Sequence, residues 1–297
     1  MVSPGILLVD KPAGLTSHDV VARTRRAFGT RKVGHAGTLD PMATGLLVIG
    51  IEGATRLLTY IVGADKTYAA TIRLGQTTST DDADGEFVQQ ADPEAWGAVT
   101  DDAVAAGIST LTGEISQVPS SVSAIKVDGR RAYDRVRAGE EVVLAARDVV
   151  VSRFDLLDRR QGDGWLDLDV LVDCSSGTYI RSLARDLGAA LGVGGHLTAL
   201  RRTRVGPFDV TDAVDVDALE GAATLTPATA ASRILEVLDV SADEARDLRH
   251  GKRLTDQASR LSGRIAAAID PDGVLVGIIE KRGADLKSAM NMPEGDR

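Results

Sequence analysis

The amino-acid sequence predicts an α+β protein with a mixed, largely antiparallel sheet and flanking helices, followed by a small β-rich unit. Three observations lead to this prediction. Strand-like and helix-like segments follow one another without the regular alternation of a parallel α/β fold. After about residue 210 the composition shifts to Ala, Asp and Thr, and short apolar strands follow. The 297 residues are 43% hydrophobic and 26% charged, which is ordinary for a globular chain of about two domains.

Each element is predicted from its local pattern. A short apolar strand at residues 6–9 ends in a turn that contains Pro and Gly, and a helix over 18–28 follows a capping Thr16 or Ser17. A glycine-rich loop then leads into a strand at 46–51. The further predicted strands are 66–74, 141–157, 165–173, 197–205, 235–240, 265–269 and 274–280. The further predicted helices are 54–62, 93–111, 131–138, 242–249 and one from Ser176 or Thr178 to about 191.

The net charge of −9, from 34 basic and 43 acidic residues, argues by itself against a nucleic-acid partner. The distribution of charge changes this interpretation. Residues 74–125 hold nine acids and no Lys or Arg, so acids and bases balance at 34 each elsewhere. The bases cluster at 23–32, 126–137 and 201–204, beside loops rich in Gly, Ser and Thr. One charge cluster usually marks a solvated helix face, but three such clusters favour a groove for a polyanion.

Several protein classes conflict with the sequence. No apolar run approaches the ~18 residues of a membrane helix, and the N-terminus lacks the basic start of a secretory signal. We therefore expect a cytoplasmic protein. The single Cys174 cannot form an internal disulfide, and four scattered histidines do not provide Cys/His zinc spacing. We expect no metal.

Five side chains are candidates for chemistry, each with a structural alternative. Asp40 precedes a proline in a glycine-rich loop. It is either an ordinary turn residue or a carboxylate that could act as nucleophile or base. Tyr179 and Arg181 follow Gly and hydroxyl residues, at an ordinary helix start or at an anion site. Tyr68 either packs in a strand or stacks on a base. His35 is a neutral loop residue or a wedge against a nucleotide.

Five blocks of sequence carry a resemblance. They are, in order, KPAGLTSHDVVARTRRAFGTRKVGHAGTLDPMATGLLVIG, DKTYAATIRLGQTTSTDDADG, VPSSVSAIKVDGRRAYDRVRAGE, CSSGTYIRSLARDLGAALG and HLTALRRTRVGPF. Within about residues 6–208, this series resembles the bacterial tRNA pseudouridine-55 synthases, the TruB family. Several long blocks in the same order are much more specific than a single motif.

The resemblance implies isomerisation of uridine to pseudouridine at position 55 in the T-loop of tRNA, after base flipping. Asp40 falls on the family's catalytic aspartate, which acts as a nucleophile at C1′ or as a base that yields a glycal. Arg181 falls on the arginine that pairs with this aspartate and would keep it ionised. Tyr68 falls on the tyrosine that stacks on the target base. Its hydroxyl, a reluctant base with an ordinary pKa near ~10, or a water would remove the C5 proton.

Further positions follow from the same resemblance. Tyr179 and Leu200 fall on positions that line the active site, and His35 falls on the histidine that fills the space left by the flipped nucleotide. The reaction oxidises nothing and transfers no phosphate, so we expect no cofactor. We expect tRNA, bound through its T-arm, as the partner of a monomer with no obligatory protein partner and no membrane contact. The candidates for phosphate contact are Lys11, Arg31, Lys32, Lys126, Arg130, Arg131, Arg201 and Arg202.

The resemblance also implies a central RNA-binding cleft. We expect a catalytic domain at 1–210, a linker at 211–232, a small RNA-binding domain of the PUA type at 233–285 and a flexible tail at 286–297. A non-catalytic RNA-binding or tRNA-folding protein on the same scaffold is the alternative, and it would not need Asp40. A glycoside hydrolase is less favoured, because such enzymes usually use two carboxylates and no second acid stands in an equally distinctive loop.

Overall fold

The computed structural model of the protein describes residues 2–120 and 144–293, together with the backbone of 126–127 and 130–131. The chain divides into two compact units. The first unit comprises Met1–Asp40, Gly45–Gly63 and Val205–Arg297, and the second comprises Pro41–Thr44 and Ala64–Arg204.

The described elements mix strands and helices along the whole chain. The strands are β1 Gly5–Lys11, β2 Val33–Ala36, β3 Thr44–Ile51, β4 Lys66–Leu74, β5 Gln76–Thr78, β6 Phe87–Gln90, β7 Gly113–Gln117, β8 Lys126–Val127, β9 Arg130–Arg131, β10 Arg147–Gly162, β11 Trp165–Cys174, β12 Gly195–Val205, β13 Phe208–Asp209, β14 Val214–Asp215, β15 Glu236–Asp239, β16 Ile265–Ile269, β17 Leu275–Arg282 and β18 Asp285–Asn291. The helices are α1 Ser17–Phe28, α2 Leu58–Ile61, α3 Asp101–Thr110, α4 Ile180–Ala190, α5 Pro227–Ile234 and α6 Ala242–Arg249.

The first unit contains a mixed set of strands around β1. β1 pairs antiparallel with β3 and parallel with β14, and β3 also pairs antiparallel with β2. Helix α1 begins where the sequence predicts, because Thr16 caps it in a capping box with Asp19. Its buried face, with Val20 and Val21, packs on the apolar core formed by β1 and β3. The glycine-rich loop contains one strand that the sequence did not predict, β2.

The end of the chain forms a separate four-stranded sheet in the order β15-β16-β17-β18. With α6 it encloses its own apolar core, which includes Leu238, Leu248 and Ile279. This confirms the predicted small β-rich unit. The predicted flexible tail was wrong for residues 286–291, because β18 pairs antiparallel with β17 and buries Leu286 completely.

The predicted linker at 211–232 is also structured in part. It contains β14 and most of α5, which begins at a capping Thr226 followed by Pro227 in the first helical turn. Thr-Pro before an alanine-rich stretch is a helix-start signal. A reading of this stretch by its amino-acid composition alone does not detect it. The division between the two compact units does not coincide with the predicted boundary at 210, since residues after 205 join the unit of β1.

The second unit is built on a sheet in the order β12-β4-β11-β10-β7, in which the pairs from β4 to β7 are antiparallel. Helix α4 approaches the chain closely at Gly188, where an added Cβ would lie 2.1 Å from the backbone of Gly194. The helix predicted at 93–111 is divided by Thr100, which caps α3. The helix predicted at 131–138 lies outside the described residues. The mixed α+β class is therefore confirmed.

Candidate active site

The loop that carries Asp40 is anchored in the first unit by helix α1. The buried Ser17 hydroxyl donates to the Leu39 carbonyl at 3.1 Å and accepts from the Leu39 N–H at 2.9 Å. Gly37 adopts φ +82°, a left-handed conformation that a glycine accepts readily. Leu39 is buried and Asp40 is half-buried. The backbone immediately before the Asp40 carboxylate is therefore held on both of its polar groups.

His35 lies on β2 of the same unit, opposite Ile49 of β3. Its ring meets that of His18, from the first turn of α1, edge to face at a centroid distance of 5.7 Å. The ring is half-buried.

Tyr68 and Leu200 lie on neighbouring strands of the second unit. Tyr68 is buried on β4, opposite Val172 of β11. Leu200 is buried on β12. The hydroxyls of Thr198 and Thr203 donate to carbonyls of β4 on either side of Tyr68, each at 3.4 Å. The two segments that carry the predicted stacking and lining residues are thus side by side.

Tyr179 and Arg181 lie together at the start of α4, for which Tyr179 is the N-cap. The sequence placed this start at Ser176 or Thr178, one to three residues too early. Arg181 is buried, with 4% of its surface exposed. Its guanidinium donates to the Thr80 carbonyl at 2.9 Å and lies 3.4 Å from the Asp82 carboxylate. The predicted pairing of Arg181 with Asp40 stays a prediction.

Asp82 is a partner of the candidate residue Arg181 that the sequence analysis missed. It is 3% exposed, and it accepts from the Thr80 hydroxyl and from the Asp84 N–H. Arg185, one turn after Arg181 on α4, lies 3.6 Å from the neighbouring Asp81. The turn that contains Asp81 and Asp82, here called the acidic turn, therefore contacts the first two turns of α4 through two arginines. In the sequence, these acids were counted only as part of an acidic stretch.

Gln117, at the end of β7, is a second residue that the sequence analysis missed. Its side chain is buried. In the described part of the chain its amide bonds to the backbone of Tyr179: Nε2 donates to the Tyr179 carbonyl at 3.0 Å, and Oε1 accepts from the Tyr179 N–H at 2.8 Å. The two residues are 62 positions apart. A glutamine in an ordinary strand gives no local signal of such a contact.

Two of the predicted phosphate contacts were wrong, because their side chains are buried. Lys11 is 0% exposed, and its ammonium donates to the carbonyls of Pro12 and Leu15 at 2.9 and 2.7 Å. It holds its own turn together. Arg202 is 1% exposed on β12. Neither side chain presents its charge on the protein surface.

The other predicted phosphate contacts have different surroundings. Arg31 and Lys32 are exposed, and the Lys32 ammonium lies 3.4 Å from the Glu52 carboxylate. Arg201 is half-buried with its guanidinium 3.5 Å from the Thr44 hydroxyl. The backbones of Lys126, Arg130 and Arg131 belong to the paired strands β8 and β9, and their side chains lie outside the described residues.

The described residues also bear on cofactor chemistry. Within 2–120 and 144–293, His, Cys, Asp and Glu side chains do not gather in any group of three that could hold a metal ion. Cys174 is buried, and desolvation raises the pKa of its thiol from 9.0 to about 11. A thiol of that pKa is not a ready nucleophile near neutral pH.

Comparison with protein families decides the identity of the fold. Residues 25–180 match the family model described as TruB family pseudouridylate synthase, N-terminal domain. This chain belongs to the TruB family. Residues 181–241 match the model of the tRNA pseudouridylate synthase B C-terminal domain, and residues 235–293 match that of tRNA pseudouridine synthase II, C terminal. The resemblance seen in the sequence blocks is confirmed, and the chain is a pseudouridylate synthase of this family.

Relatives in the TruB family match the chain over nearly its whole length. A protein named tRNA pseudouridine synthase B from Leifsonia xyli subsp. xyli is 62% identical over 295 residues, which cover 99% of this chain and 98% of the relative. Its namesake from Corynebacterium aurimucosum is 57% identical over 288 residues, which cover 95% of this chain and 94% of the relative.

Two solved structures share the TruB-family fold. One, described as a Cbf5-Nop10-Gar1 complex, is 28% identical with a TM-score of 0.69, covering 93% of this chain and 78% of that one. The other is described as an H/ACA RNP bound to a substrate RNA containing 2′-deoxyuridine. It is 24% identical with a TM-score of 0.71, and the match covers 98% of this chain and 86% of that one. In the described part of the chain, no helix is long and apolar enough to cross a membrane.

Proposed function

We propose that this TruB-family chain converts uridine 55 in the T-loop of tRNA to pseudouridine, as a stand-alone enzyme with Asp40 as the essential carboxylate. The substrate is supported by whole-length similarity to relatives named tRNA pseudouridine synthase B. The role of Asp40 is supported by the anchoring of its loop, where Ser17 holds both backbone polar groups of Leu39. Such anchoring keeps a carboxylate at a defined position, which a reaction at one sugar carbon requires.

The reaction breaks the C1′–N1 bond, rotates the uracil and forms a C1′–C5 bond. C5 then loses a proton and N1 gains one, so atoms and electrons balance without an oxidant or a metal. Asp40 acts at the sugar, either by adding to C1′ or by removing a sugar proton to give a glycal. Both routes need the ionised carboxylate. Arg181 has five N–H donors, enough to serve Asp40 besides Thr80 and Asp82.

The remaining side chains act on the flipped nucleotide. Flipping costs a few kcal/mol, and stacking on Tyr68 returns roughly 1–3 kcal/mol. Tyr179 and Leu200 line the pocket for the base, and His35 occupies the gap that it leaves. Either the Tyr68 hydroxyl or a water removes the C5 proton. The exposed Arg31 and Lys32, with Arg201, bind phosphates and set the register of the RNA.

The test uses the purified chain alone, an unmodified tRNA transcript and no added metal, and it measures pseudouridine at position 55. Asp40→Asn is expected to remove turnover while RNA binding stays within about tenfold, because the basic surface is unchanged. Asp92→Asn, an exposed acid of the second unit, is the matched control and should keep wild-type turnover.

Three results would contradict the proposal. Tight binding without any product would favour the non-catalytic RNA-folding alternative. If the Asp40→Asn variant forms product faster than about a tenth of the wild-type rate, Asp40 is not the essential group. Loss of an essential group raises the activation free energy by far more than ~1.4 kcal/mol. Product from a transcript with cytidine at position 55 would refute the assigned site.

A further inference from the structure

The start of α4 is held by a residue from another part of the chain. An N-cap residue usually offers a short side-chain oxygen to the first turn, as Ser, Thr, Asp and Asn do. Tyr179 stands at this position and cannot cap in that way. Instead the Gln117 amide bonds to both backbone polar groups of Tyr179, at 2.8 and 3.0 Å. The Tyr179 carbonyl also accepts the helical N–H of Leu183 at 3.2 Å, so both of its lone pairs are used.

The contact is well defined because Gln117 is enclosed. Its side chain is 2% exposed, and its backbone pairs with Arg147 of β10. A buried amide has one donor group and one acceptor, and Tyr179 presents one carbonyl and one N–H to match them. The arrangement fixes the position and the orientation of the Tyr179 peptide, much as a neighbouring strand would.

The same segment contacts α4 and the acidic turn at two further points. The Val118 carbonyl accepts from the Arg185 guanidinium at 2.7 Å. The Ser120 hydroxyl donates to the Thr80 carbonyl at 3.4 Å, and Arg181 donates to that same carbonyl. Residues 117–120 therefore run along the N-terminal part of α4, which carries Tyr179 and Arg181. Gln117 is the residue of this segment that contacts the helix start.

We propose that Gln117 is a positioning residue of the pseudouridylate synthase reaction, which holds Tyr179 and Arg181 in place through the Tyr179 backbone. The inference rests on the proposed function, because it takes Tyr179 and Arg181 as active-site residues. A shift of about 1 Å at such a position can cost on the order of a hundredfold in rate. RNA binding depends on surface charges elsewhere, so the effect is confined to the chemical step.

Two substitutions separate positioning from general stability. Gln117→Met keeps the length of the side chain and loses both hydrogen bonds. Gln117→Glu keeps the shape and the acceptor, but its ionised carboxylate has no donor for the Tyr179 carbonyl. When protonated, the introduced carboxyl can donate again. Burial raises the pKa of a carboxyl, so this donor should return within a range of pH that can be measured.

The charged groups on the elements around Gln117 are largely paired. Arg181 and Arg185 of α4 face Asp82 and Asp81. Asp186 of the same helix pairs with Arg185 at 2.8 Å, and burial raises the pKa of its carboxyl. The backbone partner Arg147 is exposed. A recovery of the Gln117→Glu variant at low pH is therefore expected to report the introduced carboxyl, once the wild-type pH profile is divided out.

The experiment measures single-turnover rate constants with saturating enzyme in excess over the tRNA transcript, between about pH 5.5 and about pH 8.5. Under these conditions a partial loss of folded protein leaves the rate constant unchanged as long as the remaining folded enzyme saturates the RNA, whereas misplacement of active-site groups lowers the rate constant. At the upper pH, we expect both variants to fall about tenfold to a hundredfold in rate constant. Their dissociation constants for tRNA should change less than about threefold. Only Gln117→Glu should regain rate relative to wild type as the pH falls.

Gln90→Met, at an exposed position of β6, is the control. The Gln90 amide also donates to backbone carbonyls, those of Gly75 and Gly164, neither of which belongs to the start of α4. This variant should lose stability and keep its rate constant. Unchanged rate constants in the Gln117 variants, with reduced thermal stability alone, would overturn the proposal. If Gln117→Met does not fold, the pH series of Gln117→Glu decides, and if neither folds the residue is structural and the proposal fails. An inactive wild-type chain would instead refute the proposed function.

Discussion

Lys66 shows how burial of one charged residue affects stability. The side chain is 6% exposed on β4, opposite Cys174 of β11, and its ammonium donates to the Ala64 carbonyl at 2.5 Å. Desolvation, with repulsion from Arg202, lowers the pKa of Lys66 from 10.5 to about 8. The folded chain therefore binds fewer protons than the unfolded chain above about pH 8. Unfolding then takes up a proton, so this residue makes the fold more stable as the pH rises.

The Cys174 thiol acts in the opposite direction over a higher range. Its pKa is raised from 9.0 to about 11, so above pH 9 the folded state holds a proton that the unfolded state has lost. Between about pH 8 and pH 9 the Lys66 effect is larger than the opposing effect of Cys174. We expect Lys66→Met to remove a rise of about 1 kcal/mol in the free energy of unfolding across this interval.

Urea unfolding at the two pH values measures this difference. Lys287→Met, at an exposed position of β18, is the control and should unfold with the wild-type pH dependence. An unchanged slope in Lys66→Met would mean that the ammonium keeps its ordinary pKa in the folded protein.

At the scale of single elements, the start of α1 performs two separate tasks with adjacent residues. Thr16 forms the capping box, in which its hydroxyl accepts from the Asp19 N–H at 3.1 Å. Ser17 turns away from the helix and holds Leu39, next to Asp40. The helix thus stabilises itself through one hydroxyl and positions the loop that carries Asp40 through the next.

The two hydroxyls can be removed one at a time. Thr16→Ala should lower the free energy of unfolding by about 1 kcal/mol and leave the single-turnover rate constant unchanged. Ser17→Ala leaves two buried backbone groups of Leu39 without this partner, so it should lower the rate constant about tenfold while tRNA affinity stays the same. Denaturation and single-turnover assays on both variants check the prediction. Equal rate constants for the two would show that the Asp40 loop does not depend on α1.

At the scale of the whole molecule, net charge is a poor guide to the binding surface. The chain carries −9, yet Arg31 is exposed on the first unit. Many other charges are neutralised locally: on the second unit, Arg73 pairs with Asp167 at 2.7 Å and Arg160 pairs with Asp169. Exposed bases outside such pairs therefore decide where a polyanion binds.

This leads to a prediction for salt dependence. The affinity for tRNA should fall steeply with salt despite the negative net charge, because each neutralised phosphate releases counterions. Arg31→Ala should reduce the slope of log affinity against log salt by roughly 0.8. Arg159→Ala is the control, since this exposed guanidinium is paired with Asp101, and it should leave the slope unchanged. A flat salt dependence of the wild-type chain would contradict phosphate binding by these clusters.

The distribution of the chain over two units gives a prediction for truncation. Val216 and Leu219 complete the core of β1 and α1, and Leu225 exchanges two backbone hydrogen bonds with Ile6 at 2.8 and 2.9 Å. A chain that ends at 209 loses all of these contacts, at about 1.5–3 kcal/mol for each fully buried side chain. It should lose cooperative thermal unfolding, whereas a chain that ends at 234 should keep it. Calorimetry of the two shortened chains provides the comparison, and equal behaviour would favour a domain boundary at 210.

Much of the fold was predictable because it depends on local patterns. Alternation along 66–74 matches β4 residue for residue, and the helix predicted at 242–249 matches the bounds of α6. The Asp40 loop was predictable as a candidate site, with an ordinary turn as the alternative, from its glycines and proline beside an apolar strand, and the ordered blocks predicted the family. In these cases the deciding residues lie within about ten positions of one another, where backbone propensity and side-chain period act directly.

The tertiary structure decided which residues meet and which are covered. Asp82 and Arg181 form a buried pair across the chain, Gln117 holds Tyr179 from 62 positions away, and β18 is a strand only because β17 lies beside it. Lys11 and Arg202 are of the residue types that bind phosphates, but both side chains are buried. The sequence by itself determined the elements, the family and the candidate carboxylate. Burial and partner choice depend on which distant segments share the interior, and no local pattern of residues encodes that.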